Sequence, residues 1–263
     1  MKQFLLRDEP DEGKPVRLSG NDFHYLAHVR RVRVGDAFDC RAPSGKPAVL
    51  RVICVEKDVI LAEYTPKTCE TSSQTAFPSI ILFQSMTKGA KMDIIIRQAA
   101  EAGVTEVVPF YSEHSLPRNV SGVLSVETER IGRWRRVLKE ACQQSGSATA
   151  TTAAPPKTFD EILKYWEHLK SRTEKTLGLL VHEIPLEKGG FHRYLNTIPE
   201  LVVLVVGPEG GFSPSEAGAF VEAGFKPVIL GDTILRSESA AFYSIAVVRT
   251  LIYERLTWTA TNQ

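Results

Sequence analysis

Residues 201–254 read LVVLVVGPEGGFSPSEAGAFVEAGFKPVILGDTILRSESAAFYSIAVVRTLIYE, and this stretch decides the fold. It opens with six consecutive apolar residues, Leu201–Val206. An apolar side chain at every position means that both faces of a strand are covered, which is typical of a parallel strand between two layers of helices. The Gly-Pro pair that follows ends the strand, and Gly210 and Gly211 leave the next turn without side chains. We therefore predict a buried parallel strand followed by a glycine-rich turn.

A helix start follows this turn. Ser213 is a suitable N-cap, Pro214 suits the first helical position, and Glu216 stands where a capping box needs a carboxylate. The helix is expected to end at Gly224, because glycine is the usual residue just past a helix C-terminus.

A second apolar strand is predicted at residues 228–230, and it ends at Gly231. A loop through Leu235 and Arg236 then enters a long final helix. In an open α/β sheet, ligands bind outside the carboxyl ends of the strands, where backbone amides are free to meet them. The two loops together therefore predict a ligand site, although GPEGG alone is equally compatible with an ordinary strand–helix turn.

The sequences of the two loops together are a more specific signal than either loop alone. GPEGGFSPSE at residues 207–216, followed by LGDTILRSESA at residues 230–240, resembles the paired signature of the SPOUT methyltransferases. Within that class it is most similar to the uridine-N3 methyltransferases that act on 16S ribosomal RNA. The resemblance implies S-adenosylmethionine as the cofactor, with one half of the signature on each cofactor loop. It also implies a carboxy-terminal trefoil knot, whereas general topology rules alone favour an unknotted chain.

Strands alternate with helices from residue 79 to the end, which predicts an α/β fold with a parallel sheet. Residues 1–70 instead contain several short β segments separated by turn residues, which suggests a small barrel. The resemblance implies that this barrel is PUA-like and binds RNA, and that residues 75–263 form the SPOUT methyltransferase domain. The polar segment 69–78 is the expected linker, and residues 147–158, rich in Ala, Thr and Pro, are expected to form a loop.

The resemblance assigns both loops to the cofactor. Glycines allow close approach, and the expected contacts are largely to backbone groups. The residues expected to bind S-adenosylmethionine are Val206, Gly207, Pro208, Glu209, Gly210, Gly211, Leu230, Gly231, Ile234, Leu235 and Ser239.

Methylation of uridine at N3 requires the loss of a weakly acidic proton, so the site needs a carboxylate base or a cation that stabilises the anion. Glu209 is the candidate carboxylate, and the alternative role is to brace the turn. Arg236 is the candidate cation, with a local ion pair to Glu238 as the alternative. Glu238 is more suited to orienting the arginine or capping the last helix than to taking the proton.

Five basic residues are candidates for RNA binding. Arg30, Arg31 and Arg33 lie close together in the amino-terminal segment, and Lys88 follows the strand that begins at Ser79. Arg133 belongs to a basic amphipathic helix. Basic clusters of this kind contact phosphates, but each is also compatible with a solvated face that has no partner. The family usually has arginine where this chain has His114, Ser147 and Asp232, so part of its phosphate-binding set is missing.

The composition limits the other possibilities. The net charge is +1 over 263 residues, so a nucleic-acid site must be a local patch. The four cysteines show no metal-binding spacing and indicate free thiols in a reducing compartment. We therefore expect a cytoplasmic protein with no metal and no membrane partner.

Two other functions remain alternatives: methylation of another RNA such as transfer RNA, and a non-catalytic assembly role. A generic nucleotide-binding domain is disfavoured because no phosphate-binding loop motif follows a strand.

The final helix predicts an assembly. Residues 240–252 contain a single charge, Arg249, and carry apolar side chains around most of the circumference. A helix of this kind is buried on more than one side. One side should cover the sheet, and the other, with some of Phe242, Tyr243, Ala246 and Thr250, should close a homodimer. Complete burial in a large monomer core is the alternative.

Overall fold

The computed structural model describes residues 3–11, 13–67, 77–115, 123–147, 149–184, 186 and 189–261, without the side chains of residues 123–128 and 258–261. The predicted linker at 69–78 lies outside the described residues except for its last two positions. The chain forms two compact units, the first made of Met1–Ser72 with Gln143–Ala148 and the second of Ser73–Cys142 with Thr149–Gln263.

The first unit is a five-stranded sheet. Its elements are β1 (Phe4–Leu5), β2 (Val16–Ser19), α1 (Asn21–His24) with a π-helical continuation at Tyr25–Val29, β3 (Ala37–Arg41), β4 (Pro47–Val55) and β5 (Val59–Pro66). The strand order is β1-β3-β4-β5-β2, and only the β1–β3 pair is parallel. Alternate residues of β4, such as Leu50 and Val52, are buried, while Arg51 and Ile53 are exposed. This alternation gives the sheet one apolar face and one solvated face.

Residues 143–147 join the first unit through its amino-terminal edge. The backbone N–H of Gln3 donates to the carbonyl of Gln143 at 3.3 Å, and its side chain donates to the carbonyl of Ser147 at 2.8 Å. A segment distant in sequence therefore completes this unit.

The second unit is an α/β layer structure. Its elements are β6 (Ser79–Ser85), α2 (Lys91–Glu101), β7 (Glu106–Phe110), α3 (Val123–Ser145, of which the last three residues belong to the first unit), β8 (Thr152–Ala153), α4 (Phe159–Arg172), β9 (Thr176–Val181), α5 (Phe191–Tyr194), β10 (Leu201–Val206), α6 (Pro214–Glu222), β11 (Lys226–Val228) and α7 (Ser237–Thr261). The sheet order is β11-β9-β10-β6-β7-β8, and every pairing is parallel. The predicted α/β fold with a parallel sheet is confirmed.

The predicted central strand is correct in its bounds and its burial. All six residues of β10 are buried, and the strand pairs with β9 on one side and β6 on the other. The predicted capping box is also present, because Ser213 Oγ accepts from the Glu216 N–H while the Glu216 carboxylate accepts from the Ser213 N–H. These two features place a helix N-terminus at the carboxyl end of the central strand.

Two local predictions are wrong. The strand after α6 is Lys226–Val228 and not residues 228–230, because its pairing with β9 ends at Val228 opposite Val181. The segment 147–158, predicted to be a loop, contains β8, which adds a short parallel edge next to β7. Edge strands of two or three residues carry too little local signal to be located from sequence.

Candidate active site

A cavity of about 380 Å³ lies at the carboxyl ends of β9 and β10. It is bounded by the loop after β10 (207–213), the loop after β11 (229–236) and the residues that follow β9. The lining residues are Lys91, Val181, His182, Glu183, Val206, Gly207, Pro208, Glu209, Gly211, Phe212, Leu230, Gly231, Thr233, Ile234, Leu235, Arg236, Ser237 and Ala240. The volume is in the range typical of small-molecule sites.

The first of these loops is held tightly at its base. The N–H of Gly211 donates to the Pro208 carbonyl at 3.1 Å, and Gly211 has a φ of 69°, which favours glycine. Phe212 is buried and stacks on Phe110 with ring centroids 6.2 Å apart. The loop therefore begins at a buried strand and ends at a buried aromatic anchor, so its backbone is fixed beside the cavity.

Three charged side chains meet at the mouth of the cavity. Lys91 Nζ lies 2.8 Å from Glu209 Oε1 and 3.8 Å from Glu238 Oε2. Burial acts to raise the pKa of Glu209, but hydrogen bonds from the Lys91 ammonium and from backbone N–H groups outweigh it and hold that pKa below its usual range. The hydrogen bond to Glu209 raises the pKa of Lys91. The pair is therefore ionised at neutral pH.

Arg236 is exposed and lines the same cavity. Within the described part of the chain, its guanidinium forms no ion pair and no side-chain hydrogen bond. The alternative, a local ion pair between Arg236 and Glu238, is therefore not seen among these residues. The cation that lies nearest Glu238 among them is Lys91. The Arg236 side chain is available to a ligand at the mouth.

His114 supports the tip of the first loop. Its Nδ1 lies 3.1 Å from the Gly210 carbonyl and 3.3 Å from the Gly211 carbonyl. Because both partners are carbonyl oxygens, Nδ1 must carry the proton that it shares with them. A Cβ atom at Gly210 would lie 3.0 Å from the His114 Cβ, so this glycine faces the histidine and not the cavity.

The structure brings together the predicted cofactor residues of both loops. All of them line the cavity except Gly210 and Ser239, and Arg236 lines it with them. Lys88 is exposed, and its backbone N–H donates to Glu209 Oε1 at 3.2 Å. Arg133 pairs with Asp93 of α2.

The predicted arginines of the first unit are exposed. Arg30 lies over the ring of Phe38, with 5.7 Å from Cζ to the ring centroid, and the Arg33 N–H donates to Asp36 Oδ2 at 2.8 Å. Arg31 has a φ of 54°, and among the described non-glycine residues it is the only one with a positive φ. Three guanidinium groups thus project from one short turn of the first unit.

Three polar residues that hold the loops were missed from sequence, as were six further residues that line the cavity: Val181, His182, Glu183, Phe212, Thr233 and Ala240. Lys91 is the partner of Glu209, and Gln84 and Ser237 contact the carbonyl of Gly207 at 3.4 Å and 2.6 Å. Lys91 has the appearance of an ordinary surface residue at a helix start, and a glutamine inside an apolar strand was the available signal for Gln84. No group of three or more potential metal ligands occurs among the residues that the structure covers.

The sheet is all-parallel, and two glycine-containing loops enclose a cavity at the carboxyl ends of its central strands. This arrangement is that of an α/β enzyme that binds a small organic ligand. The RNA methyltransferase domain family matches residues 74–249, which is more than half of the chain. This chain therefore belongs to the RNA methyltransferase family, and the resemblance drawn from its two loop motifs is confirmed.

Individual relatives agree with this assignment. Ribosomal RNA small subunit methyltransferase E of Synechocystis is 30% identical over 240 residues, which cover 90% of this chain and 73% of that protein. The protein of the same name from Aquifex aeolicus is 29% identical over 84% of this chain and 88% of its own length. The crystal structure of the Neisseria gonorrhoeae protein of that name, bound to S-adenosyl methionine, matches with a TM-score of 0.77 and 29% identity over 95% of this chain and 98% of that one. No described helix is both long and apolar enough to cross a membrane.

Proposed function

We propose that this protein transfers a methyl group from S-adenosylmethionine to N3 of a uridine in the 16S ribosomal RNA of the small subunit. The observation that carries the proposal is the cavity between the two signature loops, in a chain of the RNA methyltransferase family. Relatives that share most of its length are named as methyltransferases of small-subunit ribosomal RNA. The proposed substrate makes the cytoplasm the site of action.

The cavity suits the cofactor in its size and chemistry. Val181, Phe212 and Leu235 provide apolar walls for an adenine ring, and the backbone of the two loops provides polar groups at their edges. Gly231 has a φ of 149° and Gly211 a φ of 69°, so the loop backbones adopt conformations that favour glycine and leave room for close approach. These residues would hold the cofactor between the loops.

S-adenosylmethionine supplies the methyl group as an electrophilic sulfonium, so the protein must chiefly position the uridine and favour its anion. Arg236, at the mouth, would stabilise the negative charge that develops on the uracil ring when the N3 proton leaves. Glu209 is a weak base because its pKa is lowered. We therefore assign Glu209 the role of holding Lys91 and the Lys88 backbone beside the site, and not the role of proton acceptor.

The finer features of the fold belong to the same proposal. After β11, at the edge of the sheet, the chain continues through the second loop into α7. The first residue of α7, Ser237, donates a hydrogen bond to the Gly207 carbonyl in the first loop. This passage of the chain supports a trefoil knot, which an experimental structure traced through residues 207–237 would test. The five-stranded first unit with its exposed arginines supports a PUA-like RNA-binding barrel.

A homodimer is proposed from the outer face of α7. Phe242 and Tyr253 are 41% and 62% exposed and lie on one helix face, because eleven residues make about three turns, and Tyr243, which is 51% exposed, flanks that face. A self-complementary apolar face of this kind closes a twofold dimer, and the first unit of one protomer would then approach the Arg236 loop of its partner. Sedimentation at micromolar concentration tests this: a 29.2 kDa monomer that is fully active at dilution contradicts it.

Mass spectrometry of nucleosides tests the proposed reaction. The 16S RNA of a strain that lacks this gene should have lost N3-methyluridine, and the purified protein should restore it on small subunits when S-adenosylmethionine is present. Loss of a methylated nucleoside from transfer RNA instead would reassign the substrate. An unchanged nucleoside content together with no cofactor binding would favour the non-catalytic assembly role.

A further inference from the structure

Gln84 is a polar residue in the apolar centre of the sheet. It lies in β6, and its side chain is completely buried. Its Nε2 is 3.0 Å from the Ser85 carbonyl and 3.0 Å from Ser237 Oγ, with longer contacts of 3.4 and 3.5 Å to the carbonyls of Gly207 and Val206. Three of these partners are carbonyl oxygens, so the nitrogen of the amide must face them. The two short contacts take its two hydrogens.

Ser237 connects this amide to the first loop. It is the first residue of α7, it is buried, and its Oγ donates to the Gly207 carbonyl at 2.6 Å. A hydroxyl has one hydrogen, so a hydroxyl that accepts from Gln84 has its own hydrogen directed to Gly207. Gln84 thus orients Ser237, and Ser237 ties down the Gly207 carbonyl.

This chain of bonds joins three segments that are far apart in sequence. Gln84 belongs to β6, Gly207 begins the first loop, and Ser237 follows directly after the second loop. Gly207 has no side chain of its own to anchor it, so its backbone bonds determine its position. Gly207 and Ser237 both line the cavity, whereas Gln84 does not.

We propose that Gln84 and Ser237 are positioning residues of the cofactor site: by tying the Gly207 carbonyl to the start of α7, they set the separation of the two loops that close on S-adenosylmethionine. The inference rests on the proposed function, because it presupposes that the cofactor binds between these loops. Loss of either group leaves a buried polar atom without its partner, and the loop can regain hydrogen bonds only by moving.

α7 offers a matched control. Ser244 is also completely buried, but its Oγ donates only to the Ala241 carbonyl of the same helix, at 2.9 Å. Ser237→Ala and Ser244→Ala therefore delete the same hydroxyl from the same helix, and only the first deletion frees the loop. Ser237→Thr keeps the hydroxyl and should retain most of the affinity.

The experiment is calorimetric titration of the parent and the variants with S-adenosylmethionine, followed by steady-state kinetics on small subunits. Ser237→Ala should bind the cofactor about tenfold more weakly, which corresponds to the loss of one buried hydrogen bond. Its KM for the cofactor should rise while kcat changes little, and Ser244→Ala should match the parent. Combining Ser237→Ala with Gln84→Met should weaken binding no further than Ser237→Ala alone, because both act through one bond.

Equal affinity of folded Ser237→Ala and the parent overturns the proposal, as does an equal loss in Ser244→Ala. Both results leave the proposed function intact, because the parent still binds the cofactor. A folded parent protein that does not bind S-adenosylmethionine overturns the proposed function and this inference with it.

Discussion

At the scale of single residues, Lys91 is the cation that the two carboxylates at the cavity mouth share. Its ammonium lies within 4 Å of Glu209 and Glu238, which come from different segments of the chain. Oε2 of Glu238 is buried without a hydrogen-bond partner among the described residues, so Lys91 is its nearby compensating charge. Loss of this ammonium should therefore loosen both segments.

We predict that Lys91→Met lowers kcat/KM roughly 10- to 100-fold, the range expected for loss of a charged hydrogen bond. Lys91→Arg should recover much of the activity because it restores the cation. Lys14→Met is the control, since Lys14 forms an exposed ion pair with Asp11 in the first unit. Steady-state methyl transfer measures all three, and a Lys91→Met variant as active as Lys14→Met would exclude Lys91 from the site.

The ionisation of Glu209 gives a prediction about pH. Its pKa in the folded protein lies below the ordinary value of 4.5, so the stabilising contribution of the carboxylate is fully present above that value and is lost as the pH falls through the lowered one. The free energy of unfolding of the parent should exceed that of Glu209→Gln by less than about 1 kcal/mol. The gap should stay constant from about pH 8 to 5.5 and close in more acidic solution.

Denaturant unfolding of the two proteins across this pH range makes the comparison. A gap that widens as the pH falls from neutrality would indicate a raised pKa, because the folded protein would then bind the proton more tightly than the unfolded chain; a raised pKa is the property of a general base tuned to neutral pH. That result would return Glu209 to the role of proton acceptor.

At the scale of the elements, β9 carries a glycine where two aromatic rings meet. A Cβ atom at Gly178 would lie 2.6 Å from Cδ1 of Phe225 and 2.9 Å from Cη2 of Trp166, and both rings are buried. We predict that Gly178→Ala lowers the free energy of unfolding by about 1–3 kcal/mol, because overpacking forces the rings to move.

Gly218→Ala in α6 is the matched control. Apart from its chain neighbours and the backbone of its own helix, no described atom lies within 4 Å of the Cβ that this substitution adds, and alanine is the better helix former by up to about 1 kcal/mol. In thermal unfolding, Gly178→Ala should therefore have a lower Tm than the parent, and Gly218→Ala a higher one. A Gly178→Ala protein as stable as the parent would mean that the rings around β9 repack without cost.

The elements that were predictable from sequence are those with a strong local signal. β10 is apolar at every position, and α6 begins with a capping box, so both were located correctly. β11 was placed two residues late because Ile229 and Leu230 are as apolar as a strand, and only the pairing with β9 decides where it ends. The two loops of the site followed from these elements.

The supporting residues of the site were not predictable in the same way. Lys91 meets Glu209 across 118 positions of sequence, and Gln84 meets Ser237 across 153. Local spacing carries no information about such pairs, since they exist only when the sheet has brought the strand ends together. The sequence predicted which loops form the cavity, but not what holds them.

At the scale of the whole molecule, charge is distributed so that the attraction to RNA must be local. The net charge is +1, yet Arg30, Arg31 and Arg33 are all exposed in one turn of the first unit. We predict that the affinity for 16S RNA falls steeply with salt, and that replacing one of these arginines with glutamine lowers the slope of log K against log salt by about one.

The control is Arg172→Gln, at the exposed end of α4. Filter binding or fluorescence anisotropy over a series of salt concentrations gives the slopes. Parent-like slopes for Arg31→Gln and Arg33→Gln would identify this turn as a solvated surface with no phosphate partner.

The strand order has a consequence for how the protein folds while it is synthesised on the ribosome. β6, β7 and β8 can pair as soon as they emerge, but the sheet partners of β9 are β10 and β11, both of which are synthesised after it. The sheet becomes continuous only when β10 arrives and joins the two halves, a pairing of high contact order that slows folding. Until then, the nascent chain exposes two apolar strand edges, β6 and β9, and these are the surfaces that a chaperone would need to shield during translation.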